Sequence, residues 1–160
     1  MRMKKVLLAL ILVALVLIPV AAATEGTAQT DLAIGLNLGT SASISGQYRM
    51  DNFDIIANLG FGFLSDYLSV DGAANFKVAE FDIDKAHFNV TVGGGAYIGI
   101  PLSSGKGFGL AAIAPVGVVY NLENKDVPLD LYLRVVPGLW ITPNIDFYYD
   151  AYIGAMWRFN

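Results

Sequence analysis

The sequence predicts an all-β fold: an eight-stranded antiparallel up-and-down β-barrel of the membrane type, preceded by a signal-peptide helix. Three observations predict it. The first is the last run, where Phe147, Tyr149, Ala151, Ile153, Ala155, Trp157 and Phe159 alternate with Asp146, Tyr148, Asp150, Tyr152, Gly154, Met156 and Arg158. Successive strand side chains point to opposite sides, so the first set makes one apolar face. Its aromatics Phe147, Tyr149, Trp157 and Phe159 sit at the two ends, in the pattern of a membrane aromatic girdle. At about 3.3 Å per residue and a tilt near about 40°, the run covers about 30 Å, one hydrocarbon core. The second is composition: 55% of residues are hydrophobic and 15% charged. After the N-terminal run, however, no apolar stretch is long enough for a spanning helix. A spanning chain without helices has to close its sheet, because open edges cannot be satisfied in lipid. The third is recurrence, since eight segments alternate in the same way.

Arg2, Lys4 and Lys5 precede the apolar run Val6–Val20, and Ala21-Ala22-Ala23 follow. That order of charged, apolar and small residues is a secretory signal peptide, predicted over 1–23 with cleavage after Ala23. Residues 24–160 then form a single domain. In that domain Arg49, Lys77, Lys85, Lys106, Lys125, Arg134 and Arg158 face fourteen acids, a net charge of −7 that argues against nucleic-acid binding. With no cysteine there is no disulfide, zinc-thiolate site or lipid-anchoring thiol.

The segments follow in order, divided at clusters of turn-forming residues. Residues 31–39 set Leu32, Ile34, Leu36 and Leu38 against Asp31, Ala33, Gly35 and Asn37. Residues 42–50 group Ser43, Ser45, Gln47 and Arg49, and Met50-Asp51-Asn52 turns into 53–64, where Asp54, Asn58, Gly60 and Gly62 share a face. Ser65-Asp66 leads to 67–78, with Tyr67, Ser69, Asp71, Asn75 and Lys77 together. A charged link from Glu80 to His87 precedes 88–100, and Ser103–Gly107 precedes 108–120, the least polar segment. Glu123–Asp126 turns into the seventh, and Pro143-Asn144 separates seventh from eighth. Pro115 and Pro137 lie within strands and lack a ladder donor, so bends or bulges are expected at both.

Alternation alone does not say which face is inside. Aromatics near strand ends on the apolar faces, and Gly, Ser, Asn and isolated charges on the others, favour a lipid-facing exterior around a narrow polar interior. The alternative is a soluble lipocalin-like periplasmic barrel binding a small apolar ligand, with Leu32, Ile55, Val92 and Ile153 inside.

From about residue 53, and most clearly over 108–159, the chain resembles a family of small bacterial outer-membrane barrels of unknown function, first recognised among borrelial outer-membrane proteins. Pro115-Val116-Gly117, Val127–Leu133, Val136-Pro137-Gly138-Leu139, Pro143-Asn144 and Ile153–Phe159 carry the resemblance. It implies an eight-stranded outer-membrane barrel and no established activity. The family pattern tends to have Arg at the position of Ile113 and Glu at that of Arg134. A Tyr120–Val127 pairing would set those two positions opposite each other, leaving Arg134 to find Asp130 or Asp150. The terminal Asn160 also departs from the aromatic ending common in such barrels.

Asp31, Arg49, Asp54, Asp71, Lys77, Asp130, Arg134, Asp150 and Arg158 all fall on the polar faces. They are expected to form a structural lumenal network, because an eight-stranded interior barely holds its own side chains and buried charge has to be paired. No catalytic, metal or cofactor-binding residue is expected. His87, the only histidine, lies in the charged link, and a lipid-modifying enzyme would have to depend on it. Glu80, Asp82 and Asp84 alternate without matching a calcium loop. Gly93-Gly94-Gly95 opens no helix, and Ser104–Gly107 reads as a hairpin turn. The sequence thus predicts a non-enzymatic envelope protein in the outer membrane. Its partners would be outer-membrane lipids and, during biogenesis, the barrel-assembly machinery.

Overall fold

The computed structural model describes residues 31–50, 53–63, 67–104, 107–122 and 127–159. The leader expected over 1–23, Asn160 and the turn residues Asp51-Asn52, Ser65-Asp66, Gly105-Lys106 and Glu123–Asp126 lie outside them. Among the described residues the chain is all-β. Its strands are β1 (Leu32–Gly39), β2 (Ser41–Arg49), β3 (Phe53–Gly62), β4 (Tyr67–Ile83), β5 (Ala86–Pro101), β6 (Gly109–Ile113), β7 (Val116–Asn121), β8 (Leu129–Thr142) and β9 (Asp146–Phe159). Every pairing is antiparallel, and every strand except β6 pairs with the next along the chain. β1 pairs with β9 from Leu32↔Phe159 to Gly39↔Tyr152, which closes the sheet. β6 and β7 share one position between β5 and β8, so the sheet is a ring of eight strands.

The division of the sixth strand has a local cause. On the β5 side the register runs from Gly95↔Ile113 to Val92↔Val116 without a slip. On the β8 side it runs from Ile113↔Gly138 to Val116↔Val135, again without one. Gly93 N–H donates to Pro115 O, and Ala114 N–H donates to Pro137 O, each at 2.8 Å. Neither proline has an N–H to return the bond, so two half-made pairs fall side by side. Of the bends or bulges expected at the prolines, no register slip falls at either, and the strand is interrupted at Ala114-Pro115. β8 runs straight through Pro137, and the slips fall between Lys77 and Ala79 and between Leu110 and Ala111.

Two further expectations are corrected. The link from Glu80 to His87 is not a loop: β4 and β5 continue through it and meet at Asp84-Lys85. Phe81 and Phe88 stack across that hairpin with ring centroids 5.2 Å apart, which explains why extended pairing persists among the charges. Asp84 has φ 55°, the left-handed conformation that a tight two-residue hairpin requires and that Asp tolerates. The Tyr120–Val127 pairing is also replaced. Tyr120 lies opposite Leu131, so Ile113 faces Gly138 and Arg134 faces Gly117.

The two faces of the ring differ sharply. Along β9, Tyr148, Tyr152 and Met156 are buried while Phe147, Tyr149, Ile153, Trp157 and Phe159 are exposed. The same division runs around the sheet. One register row on the outside links Phe61, Ala42, Leu38, Ile153, Leu133 and Val118 across six strands. The apolar set is thus turned outward, and the small and polar set fills the interior.

Candidate functional site

The interior is a packed set of polar side chains. Near the end of the ring where β1 starts and β9 finishes, Asp130 of β8 is 1% exposed. Arg49, at the end of β2, pairs with it, and Arg158 of β9 brings Nε to 3.4 Å from Oδ1. Asn121 Nδ2 donates to the same carboxylate at 2.7 Å, and Arg158 Nη2 donates to Leu122 O at 2.7 Å. One buried carboxylate so placed answers two guanidinium groups, as its removal from water requires. Next to it, Gln47 Nε2 donates to Asp54 Oδ2 at 2.7 Å.

Further in, the network is uncharged at its hub. Asn37 Nδ2 has Ser43 Oγ at 2.8 Å, Ser45 Oγ at 2.6 Å and Asn58 Oδ1 at 3.1 Å, while the Tyr132 hydroxyl donates to Asn37 Oδ1. Asn58 Nδ2 passes the chain on to Asp71 Oδ1 at 2.6 Å. Alternation places these residues on one face, but they carry no charge to mark them in the sequence. Arg134, 2% exposed, lies against the Tyr132 ring with its guanidinium carbon 4.5 Å from the centroid. It has neither of the acids the sequence offered it: Asp130 is held by Arg49 and Arg158, and Asp150 by the hydroxyls of Thr40 and Ser41.

Large inward side chains are seated opposite glycines. A Cβ at Gly154 would stand 2.4 Å from the Tyr132 hydroxyl oxygen, and one at Gly117 would stand 2.7 Å from Arg134 Cγ. Toward the other end of the ring Tyr97, Trp140 and Tyr148 pack with centroids 4.9 to 5.3 Å apart. Amides, arginines and aromatics are therefore among the side chains that the ring turns inward.

Of the nine charged residues predicted for the interior, the structure gathers Arg49, Asp130 and Arg158 in one cluster. Asp54 bonds Gln47, Asp71 and Arg134 line one small cavity, and Asp150 sits apart at the β1–β2 turn. Two lie elsewhere. Lys77 is exposed and paired with Glu80, and Asp31 is exposed just before β1. His87 is on the projecting β4–β5 hairpin, with Nδ1 2.5 Å from Asp82 Oδ1 and Nε2 3.7 Å from Glu80 Oε2. Among the described residues no group of three or more His, Cys, Asp or Glu is arranged to hold a metal ion.

No family model, curated protein or solved structure matches the chain.

The outer face carries the second chemically distinctive feature. Exposed aromatics collect near the two ends of the strands: Phe61, Phe63, Phe108, Phe147 and Tyr149 toward one, Tyr48, Phe76, Trp157 and Phe159 toward the other. Between them lie exposed aliphatics, among them Leu36, Leu38, Ile44, Leu131, Leu133 and Ile153.

Proposed function

We propose that this chain is a small integral β-barrel protein of the outer-membrane type, non-enzymatic, with an interior closed by its own side chains. The observation that carries this reading is the outer face: a belt of exposed aliphatic residues between two bands of aromatics, on a ring with a charged and hydrogen-bonded interior. A lipid-facing barrel needs that belt, with aromatics at headgroup level and polar groups on the inside. A protein in water rarely leaves so large an apolar surface uncovered. The ligand-binding alternative asks for Leu32, Ile55, Val92 and Ile153 inside, yet Ile55, Val92 and Ile153 are exposed on the outer face. Leu32 is buried, held between Tyr48 and Phe159 at the ring's edge.

The family resemblance carried by Pro115-Val116-Gly117 and Val136–Leu139 belongs to the same proposal, as do the cleaved leader and outer-membrane location. Outer-membrane lipids are the partners this surface fits, and the barrel-assembly machinery would deliver it there. A channel role is not supported by an interior occupied by Asp130, Arg134, Tyr132, Tyr97 and Tyr148. Envelope fractionation with carbonate extraction, followed by gel mobility with and without boiling, tests the proposal. Expected are an extraction-resistant membrane protein and faster migration when unboiled. A soluble periplasmic protein with no mobility shift would refute it.

A further inference from the structure

Among the described residues four buried side-chain polar atoms have no hydrogen-bond partner within the protein, and two of them, on Asn75 and Arg134, belong to side chains that line the same space. Arg134 Nε–H is a donor and Asn75 Oδ1 an acceptor, on side chains whose residues are each 2% exposed. The space they line is a small cavity of about 10 Å³ whose polar lining is Asn58, Asp71, Asn75, Arg134 and Tyr152. Its remaining wall includes Ile56, Ile113 and Val136. A buried donor or acceptor left without a partner is destabilising, and native structures seldom carry two together.

We infer that this cavity is a solvent-binding site holding one ordered water, which accepts from Arg134 Nε–H and donates to Asn75 Oδ1. Three features of the site select water over other small occupants. Its size is that of a single water, since such a cavity needs about 10–15 Å³ to take one. Its facing groups are one donor and one acceptor, which a molecule that both accepts and donates can satisfy together. The water's second hydrogen points among Asp71 and Asn58, both of which offer acceptor oxygens. Chloride is larger and would confront the Asp71 carboxylate. A bare cation would confront the Arg134 guanidinium. The site also accounts for how Arg134 is tolerated, since the Tyr132 ring on β8 and a water bridge take the place of a dedicated carboxylate.

The test is a structure of the full chain at a resolution that shows ordered solvent, paired with solution NMR detection of long-lived water near the Arg134 Nε–H. The expected result is one density peak within hydrogen-bond distance of both atoms and a water cross-peak to Nε–H. In Asn75→Leu, whose side chain fills the cavity, both signals are lost while the closed ring remains, as read from amide-exchange protection across the β1–β9 pairing. Asn75→Ser, which keeps a polar atom in a smaller side chain, retains the peak. An empty cavity, a direct bond from Nε to a protein oxygen, or an anion revealed by bromide substitution would each overturn the inference.

Discussion

Replacing Asp130 with alanine is the sharpest way to ask whether the interior charges hold the ring together. The residue is 1% exposed, and two guanidinium groups depend on it. Removing one partner of a buried ion pair costs about 3–5 kcal/mol, because the other charge stays in place without an answer. Here the side chains of Arg49 and Arg158 retain 27% and 21% exposure and can reach solvent, which favours the lower end, about 3 kcal/mol. At about 1.4 kcal/mol per factor of ten, that is a loss of roughly a hundredfold in the folding equilibrium. With a denaturant slope of about 1–3 kcal/mol per molar, the urea midpoint should fall by about 1–3 M. The assay is equilibrium urea unfolding of the refolded protein in detergent, followed by tryptophan emission. The double variant Asp130→Ala with Arg158→Met should recover part of the loss, since it removes one of the two stranded cations. A midpoint shift below about 0.3 M, or strict additivity of the two changes, would show that the cluster is decoration on a sheet stabilised elsewhere.

Three other perturbations probe separate parts of the structure. Gly154→Ala drives a methyl into the Tyr132 hydroxyl and Asn37 Oδ1, each 2.4 Å away, and should destabilise by about 1–3 kcal/mol in the same urea assay. Leu133→Arg places a charge in the middle of the outer apolar row; it should cost about 2–4 kcal/mol in folding into lipid vesicles if that face meets the hydrocarbon. An equal loss in detergent-free buffer would point to damage inside the ring. Pro115→Ala supplies the donor missing opposite Gly93, so a protected amide should appear at position 115 in hydrogen exchange. Fast exchange there would mean that β6 and β7 are separated by more than a missing N–H.

Much of this architecture is legible in the chain because strand alternation has period two and β9 repeats it over fourteen residues. Eight strands, their order and the grouping of Asp130 with Arg158 on one face follow from that pattern. Register does not. The pairing of Tyr120 with Leu131 depends on how the β7–β8 connection is spent, and no side-chain pattern distinguishes it from a pairing four residues away. The β4–β5 hairpin was hidden for another reason. Its turn is Asp84-Lys85, without the glycine or asparagine that usually marks such a turn, and its flanks look like a solvated link until Phe81 is seen against Phe88. In the interior, charge in the sequence marks Arg49, Asp130 and Arg158. The Asn37–Ser45–Asn58–Tyr132 hub escaped because amides and hydroxyls look unremarkable one at a time and matter only when four strands bring them together.

The join between β1 and β9 makes the order of the strands along the chain partly arbitrary. Leu32 lies opposite Phe159, and eight partners line the join, as regular as the pairings between strands joined by a turn. Opposed residues in an antiparallel pair are about 4.5–5.5 Å apart, so a hairpin link of two or three residues could connect positions 159 and 32. The tip at Asp84-Lys85 lies at the same end of the ring, since the strands alternate in direction from β1 to β4. A circularly permuted chain opened there and joined at 159–32 would keep every pairing in the ring and present its new ends on the same side. What it would change is which strands are made first and which contacts have to wait for the whole chain, so the permutant separates the geometry of this ring from the history of its assembly.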